Sequence, residues 1–340
     1  MAISGNSSYI PTTQEFIDHW TAVNDALGGL GPVTLPGQPL NWPTVVTVST
    51  LTDFLGSLQT VVTSIQGKVN AVELARGELA ALQQEALGYV VKFNAKVRGS
   101  LSGTRWASAL PAAPSIGDAQ SGFCDPLDDV ADLWTRINTE EALGTGVVLK
   151  LVNNMVDPPA AYLVANFTTL VGAVRQAWRD LGTAELNLKL ARGTRDELEN
   201  RIYPVLKAYR QVVPTFFKAD SAYVASLPRL TPVPGSTPDA AVLSGAWNAG
   251  TAKADLSAAV PVQTGLKTIR LLYSPGTSWS EDDASVVESR SLVGVDLSQP
   301  VVFSTDFALG SAGDHALFRV VVVNETDNEA SSNVVEIVRP

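Results

Sequence analysis

Apolar residues recur every seven positions through two long stretches of the chain. In the first, Leu51, Leu58, Ile65, Val72, Leu79, Ala86 and Phe93 keep strict heptad spacing. Leu55, Val62, Val69, Leu82, Val90 and Val97 fill the interleaved positions, and Arg76 is the exception. In the second, Phe167, Val174, Leu181, Leu188, Ile202 and Tyr209 keep the same spacing, broken once at Arg195. This is the seam of a helix that turns one stripe toward a partner. The first stretch predicts a helix over 51–97, about 70 Å long. The Thr/Val-rich residues 43–50 and their counterparts 159–166 are expected to be helical as well.

The two stretches are copies. Leu74-Ala75-Arg76-Gly77 recurs as Leu190-Ala191-Arg192-Gly193, 116 positions later. Asn41 and Asp157, Pro43 and Pro159, Leu82 and Leu198, Phe93 and Tyr209, and Val97 and Val213 follow at the same offset. Upstream, residues 16–21 face 130–135 at an offset of 114, and Asn24 faces Asn138. Leu110-Pro111 faces Leu227-Pro228 at 117. Each copy reads as a short helix, a linker and a long helix. Thr12 and Glu15 form a capping-box pattern for the first short helix. Asp125 followed by Pro126 suits the start of the second, and Gly28 and Gly144 mark the ends. A bend is expected at the level of Gly88 and Pro204. Two helical hairpins cannot bury their seams alone, so the expectation is an elongated four-helix bundle with pseudo-two-fold symmetry. Repeat 1 would cover residues 1–117 and repeat 2 residues 118–230.

The pattern changes after the Pro-rich linker at 231–238. Short apolar runs separated by turn residues predict strands at 241–247, 252–260, 267–274, 285–293, 299–307, 315–323 and 333–338. Seven short strands in about a hundred residues is the arithmetic of an immunoglobulin-like sandwich. Phe318-Arg319-Val320-Val321-Val322-Val323-Asn324 resembles the sixth strand of fibronectin type III domains, and Ser331-Ser332-Asn333 before residues 334–338 resembles the turn into their last strand. The resemblance covers residues 239–340. It implies a binding or spacer module without catalytic residues. The fold class is therefore α then β: a duplicated helical bundle followed by a fibronectin III-like β-sandwich.

Composition narrows the chemistry. Only 17% of the 340 residues are charged, and a net charge of −10 disfavours nucleic acid as a partner. From residue 236 onward there are 13 acidic and 6 basic residues. The acidic loop groups Glu281-Asp282-Asp283 and Glu325/Asp327/Glu329 read first as solvated turn acids and only second as Ca²⁺ candidates, since neither has the spacing of a defined calcium loop. No other cofactor or metal is expected. His19 has Leu133 as its counterpart, which speaks against catalysis. His315 begins a strand, and acidic neighbours would raise the Cys124 thiol. Gly144-Thr145-Gly146 lacks the third glycine of a dinucleotide fingerprint. Asp125, Asp128, Asp129 and Asp132 read as helix-end compensation before they read as a metal site. No enzyme is expected.

The function these features favour is a structural or interaction protein that self-associates or docks into a larger assembly. Interface candidates are Trp20, Trp134, Phe54, Leu58, Phe167 and Trp178, the two tryptophans being core anchors first. The alternative is a helical pore-forming or membrane-active protein using the weakly charged segments 54–67 and 158–174. A start without basic and apolar leader regions points to a cytoplasmic protein, or one exported without a cleaved signal.

Overall fold

The computed structural model describes all residues except Met1, Ser4, 38–43, 154–158, Val233 and Ser236. The Asn41–Asp157 match and Pro43 therefore lie outside the described residues, as does part of the 231–238 linker.

Among the described residues the helical part has six α-helices, two of them long. α1 (Asn6–Leu27) is followed by a ribbon of β1 (Leu35–Pro36) and β2 (Val45–Val46), then by α2 (Val48–Ser100) and the single turn α3 (Arg105–Ser108). The order then repeats. α4 (Gln120–Thr139) leads to a ribbon of β3 (Leu151–Asn153) and β4 (Ala160–Tyr162), then to α5 (Val164–Val212) and the single turn α6 (Ala222–Ala225). α3 and α6 are 117 positions apart, the offset already seen at the neighbouring Leu-Pro pairs.

All seven heptad residues of α2 are buried. In α5, Phe167, Val174, Leu188, Ile202 and Tyr209 are buried, and so is Arg195. Three local expectations are corrected. Residues 45–46 and 160–162 are strands, and the long helices begin only at Val48 and Val164. β-branched and extended residues there pair across a ribbon, because helix propensity is weak and a partner strand is at hand. Thr12 does not cap α1. The helix begins six residues earlier, where Ser8 accepts from the Gly5 N–H at 3.1 Å, and Thr12 and Thr13 are buried inside it. Asp125 does not cap α4, which starts at Gln120 and carries Pro126 within it, just as α1 carries Pro11. Gly28 does end α1, with φ 49°. α4 stops at Thr139, and Glu141 takes the left-handed turn ahead of Gly144.

The chain divides into two compact units, and their limits cut through both long helices instead of following the repeat copies. One is Met1–Asn70 with Leu188–Pro340, the other Ala71–Asn187. In the first, α1 and the start of α2 share a core with the end of α5: Phe16, Trp20, Leu51, Leu55, Leu58, Ile202, Leu206 and Tyr209. In the second, α4 and the start of α5 share a core with the end of α2: Phe123, Leu127, Trp134, Phe167, Val174, Val90, Phe93 and Val97. Each unit therefore takes the beginning of one long helix and the end of the other.

The duplication extends to individual hydrogen bonds. In the first unit Trp20 Nε1 donates to the Val33 carbonyl at 3.3 Å, and the Asn24 side-chain Oδ1 accepts from the Val33 N–H at 2.9 Å. In the second, Trp134 Nε1 donates to the Leu149 carbonyl at 3.0 Å, and Asn138 accepts from the Leu149 N–H at 2.7 Å. Trp and Asn four residues apart lie on one helix face. From there each pair pins the segment that enters the ribbon. Trp20 stacks on Tyr209 at 4.5 Å, and Trp134 lies 5.2 Å from Phe93, the residue matching Tyr209.

The C-terminal part is antiparallel sheet. Its strands are β5 (Val242–Asn248), β6 (Lys253–Ala259), β7 (Leu266–Ser274), β8 (Ser285–Ser291), β9 (Val301–Thr305), β10 (His315–Asn324), β11 (Glu329–Ser331) and β12 (Val335–Val338). The seven expected strands are present, and β11 is additional. One sheet runs β5-β6-β9; in the other, β8 pairs β7, β7 pairs β10, and β10 also pairs both β11 and β12. The two sheets share a core that includes Leu243, Leu256, Phe303, Ile269, Leu271, Tyr273, Phe318, Val320 and Val322. Arg270, Leu272, Val321 and Val323 on the opposite face of β7 and β10 are buried too. Burial on both faces explains why residues 320–323 are an unbroken valine run where a half-exposed strand would alternate.

Candidate functional site

The loop between β7 and β8 rests on the helices of its own unit, and a polar cluster gathers there. Gly276 opens the loop at φ 86°, and a Cβ on it would stand 3.2 Å from Val69 of α2. The position thus needs glycine both for its backbone angle and for the close approach. Beyond it, the Arg192 guanidinium donates to both carboxylate oxygens of Asp283, at 3.0 and 2.6 Å, and the Asp283 side chain is only 2% exposed. Arg195 donates to the Asp282 carbonyl and to Asp196 at 2.7 and 3.0 Å. Gln66 of α2 donates to Ser285 Oγ at 2.5 Å.

Arg195 is the heptad break of α5, and its position explains the break. A seam residue is buried by its spacing, yet this one meets a loop carbonyl and the carboxylates of its own helix instead of a methyl-lined groove. Glu199, one turn further on, is buried with it, its Oε1 3.9 Å from Arg195 Nε. The Asn6 amide closes the group. With its oxygen toward Arg195 it accepts from both terminal nitrogens at 3.1 Å and donates to Glu199 Oε2 at 3.2 Å. Burial pushes the Glu199 carboxyl up to about 7, with Asp196 and Asp282 adding to the rise and Arg195 opposing it. A cavity of about 230 Å³ lies beside the cluster, lined by Ile10, Gln59, Val62, Gln66, Arg195 and Phe307 among others.

The first repeat copy places different residues at the matching positions. Leu79 stands for Arg195 and Gln83 for Glu199. Arg76, the match of Arg192, is 53% exposed and pairs with Glu73 at 3.2 Å and Glu185 at 3.0 Å. Arg76 is thus a surface arginine, which is why it breaks its heptad.

The residues expected to form interfaces are engaged internally. Trp20 and Leu58 are buried in the core of the first unit, Trp134 and Phe167 in that of the second. Phe54 and Trp178 are partly buried and pack against those same cores. His19 is not set up as a base toward a nucleophile. The Tyr223 carbonyl, 2.9 Å away, can only accept, so Nε2 carries the proton and Nδ1 accepts from the Tyr209 hydroxyl at 2.7 Å. Burial holds the imidazole below its ordinary pKa. In the second unit Leu133 and Phe93 replace this pair without a polar atom. Cys124 is buried, and its thiol is raised by burial first and by Asp128 and Asp125 after that, against Arg175. His315 lies 3.7 Å from Glu336.

The acidic loops meet cations of the chain. Besides Asp283, Glu281 pairs with Arg319, Asp327 with Lys267 at 3.0 Å, and Glu329 with Arg270 at 2.5 Å. Among the described residues no three His, Cys, Asp or Glu side chains are grouped to hold a metal ion, and no helix is long and apolar enough to cross a membrane. Residues 54–67 are an interior stretch of α2 whose Leu55, Leu58 and Ile65 are buried. The described residues of 158–174 form β4 and the first turns of α5.

The cluster brings charge pairs, amides and a buried carboxyl together beside one cavity. No family model matches the chain, and no curated protein or solved structure matches it either.

Proposed function

We propose that this chain is a non-catalytic structural or interaction protein that self-associates through its helical part. The observation that carries this reading is the surface of the β3–β4 ribbon. Val147, Val148, Val152 and Leu163 are all exposed there, with Ala160 and Ala161 beside them. Lys150 is the one charge among the described residues of 147–163. An apolar, nearly uncharged surface on two open strand edges favours covering by another chain. A second copy is the occupant this reading names.

The C-terminal sheets fit the same role as a fibronectin III-like sandwich. Strands that leave one sheet for the other at β6–β7, return at β8–β9 and cross again at β9–β10 support a Greek-key arrangement. Such a module offers a second contact surface and no chemistry of its own.

Sedimentation velocity across a wide concentration range tests the reading. Mass above the monomer that rises with concentration is expected, and Val152→Asp, an exposed substitution that leaves the core untouched, should lower it. A monodisperse monomer at high concentration would refute self-association.

A further inference from the structure

Every described residue in the wall of the cavity beside the β7–β8 loop belongs to the first unit. The wall has two characters. Ile10, Val62, Val286 and Phe307 supply apolar surface, while Gln66, Arg195, Asp282 and Ser285 supply polar groups. We propose that this cavity binds a small organic cation: a primary ammonium on a compact apolar body. Asp282 and Gln66 meet the ammonium, and Phe307 meets the body.

Three observations carry it. First, Arg195, the one cation among the described residues of the wall, is fully engaged. A guanidinium has five N–H bonds. Those of Arg195 go to the Asp282 carbonyl once, to Asp196 twice and to the Asn6 oxygen twice. A carboxylate or phosphate entering the cavity finds no free donor on it, and meets the Asp282 carboxylate instead.

Second, oxygens in the wall lack donors. The Asn6 orientation that serves Arg195 and Glu199 turns its oxygen toward Asp282 Oδ1, 3.5 Å away, so the amide gives that carboxylate no hydrogen. Arg192, the neighbouring cation, is taken by Asp283. Gln66 donates through Nε2 to Ser285 Oγ, which leaves its carbonyl oxygen without a donor among the described residues. An ammonium offers three N–H bonds and no acceptor, the complement of a carboxylate and an amide oxygen in one wall.

Third, Phe307 is 38% exposed, although an edge contact with Tyr273, 5.2 Å between ring centroids, fixes its ring. A fixed aromatic ring open to a cavity packs an apolar body and attracts a cation placed over its face. The volume, about 230 Å³, is below the range of about 300–1,000 Å³ that holds drug-sized ligands, which limits the body to about the size of one ring.

Saturation-transfer NMR on the full chain tests the class with three probes of one shape: benzylamine, benzyl alcohol and benzoate. Saturable binding is expected for benzylamine at millimolar concentration, weaker binding for the alcohol and none for benzoate. Asp282→Asn keeps the carbonyl that Arg195 uses, and should weaken benzylamine roughly fivefold while leaving the alcohol unchanged. Val62→Trp, which fills the cavity, should abolish the benzylamine signal. Gln59→Trp, at an exposed position of the same wall, decides the matter if the Val62 variant loses its circular dichroism. The proposal is overturned if benzylamine does not bind, if benzoate binds as well as benzylamine, or if Asp282→Asn leaves benzylamine unaffected or weakens it and the alcohol alike. Benzylamine binding that survives in a folded tryptophan variant would overturn it too.

Discussion

The repeated Leu-Ala-Arg-Gly motif places two arginines in matching positions with different duties, which makes a controlled experiment. Arg192→Ala removes both hydrogen bonds to a carboxylate whose side chain is 2% exposed. Stripping one partner from a fully buried pair costs about 3–5 kcal/mol, because the other charge is left uncompensated. The Arg192 side chain is 40% exposed. Water can therefore reach the site once it is gone, and about 2–4 kcal/mol is the expected loss. Arg76→Ala breaks pairs in which Arg76 and Glu185 are about half exposed, for which about 0.2–1 kcal/mol is expected. Urea unfolding followed by tryptophan fluorescence resolves that gap. Asp283→Asn added to Arg192→Ala should recover part of the loss, since the stranded charge is then absent, and the double-mutant cycle should show coupling of about 2 kcal/mol. If the two arginine variants fall within about 0.5 kcal/mol of each other, the buried seat does not stabilise the fold as argued.

Gly245 of β5 lies under Leu256, and an alanine Cβ would stand 2.5 Å from Leu256 Cδ2 and 2.9 Å from the Asp255 carbonyl. Gly245→Ala should therefore lower the melting temperature by an amount equivalent to about 1–3 kcal/mol, the usual range for overpacking. His19 is held neutral, so the unfolded chain takes up its proton first as pH falls below 6.5, and stability drops on the acid side. Glu199 acts oppositely, losing stability as pH rises from 4.5 toward 7, so the His19 contribution should be read in a Glu199→Gln background. There, His19→Leu with Tyr209→Phe, the pair used by the second unit, should flatten the acid limb measured by thermal melts.

Much of the helical part was legible because its signals are local and repeated. Seven heptad residues of α2 mark a buried stripe whatever they pack against, and the 114–117 offsets mark two copies of one unit. The strands of the C-terminal part were legible for the same reason, each being a short apolar run between turn residues. What failed depended on partners distant in sequence. Val45 and Val46 become strand only because Leu35 and Pro36 lie alongside, and the Thr12 capping pattern is overridden by burial inside a helix that begins at Asn6. The compact units escaped the repeat boundaries because each core draws on both long helices. Arg195 stood out as a break in the seam, but the loop that accounts for it lies 87 positions away.

That break carries the larger lesson about the duplication. Two copies of one sequence begin with the same demands at matching positions, so wherever they now differ in polarity, their surroundings differ. At 20 and 134, 24 and 138, and 33 and 149 the copies keep one hydrogen-bond scheme, because each has a ribbon to pin. At 79 and 195, and at 83 and 199, they part: leucine and glutamine in one, arginine and glutamate in the other. The second copy is the one whose α5 meets the β7–β8 loop, so a polar pair in an otherwise apolar seam is what a helix needs to hold a loop by its backbone. The same reasoning separates His19 and Tyr209 from Leu133 and Phe93. His19 has the Tyr223 carbonyl to satisfy, and a polar pair inside a core is stable only when every donor and acceptor in it has a partner. Divergence between the copies is therefore a map of what each unit touches, readable without any relative of the chain.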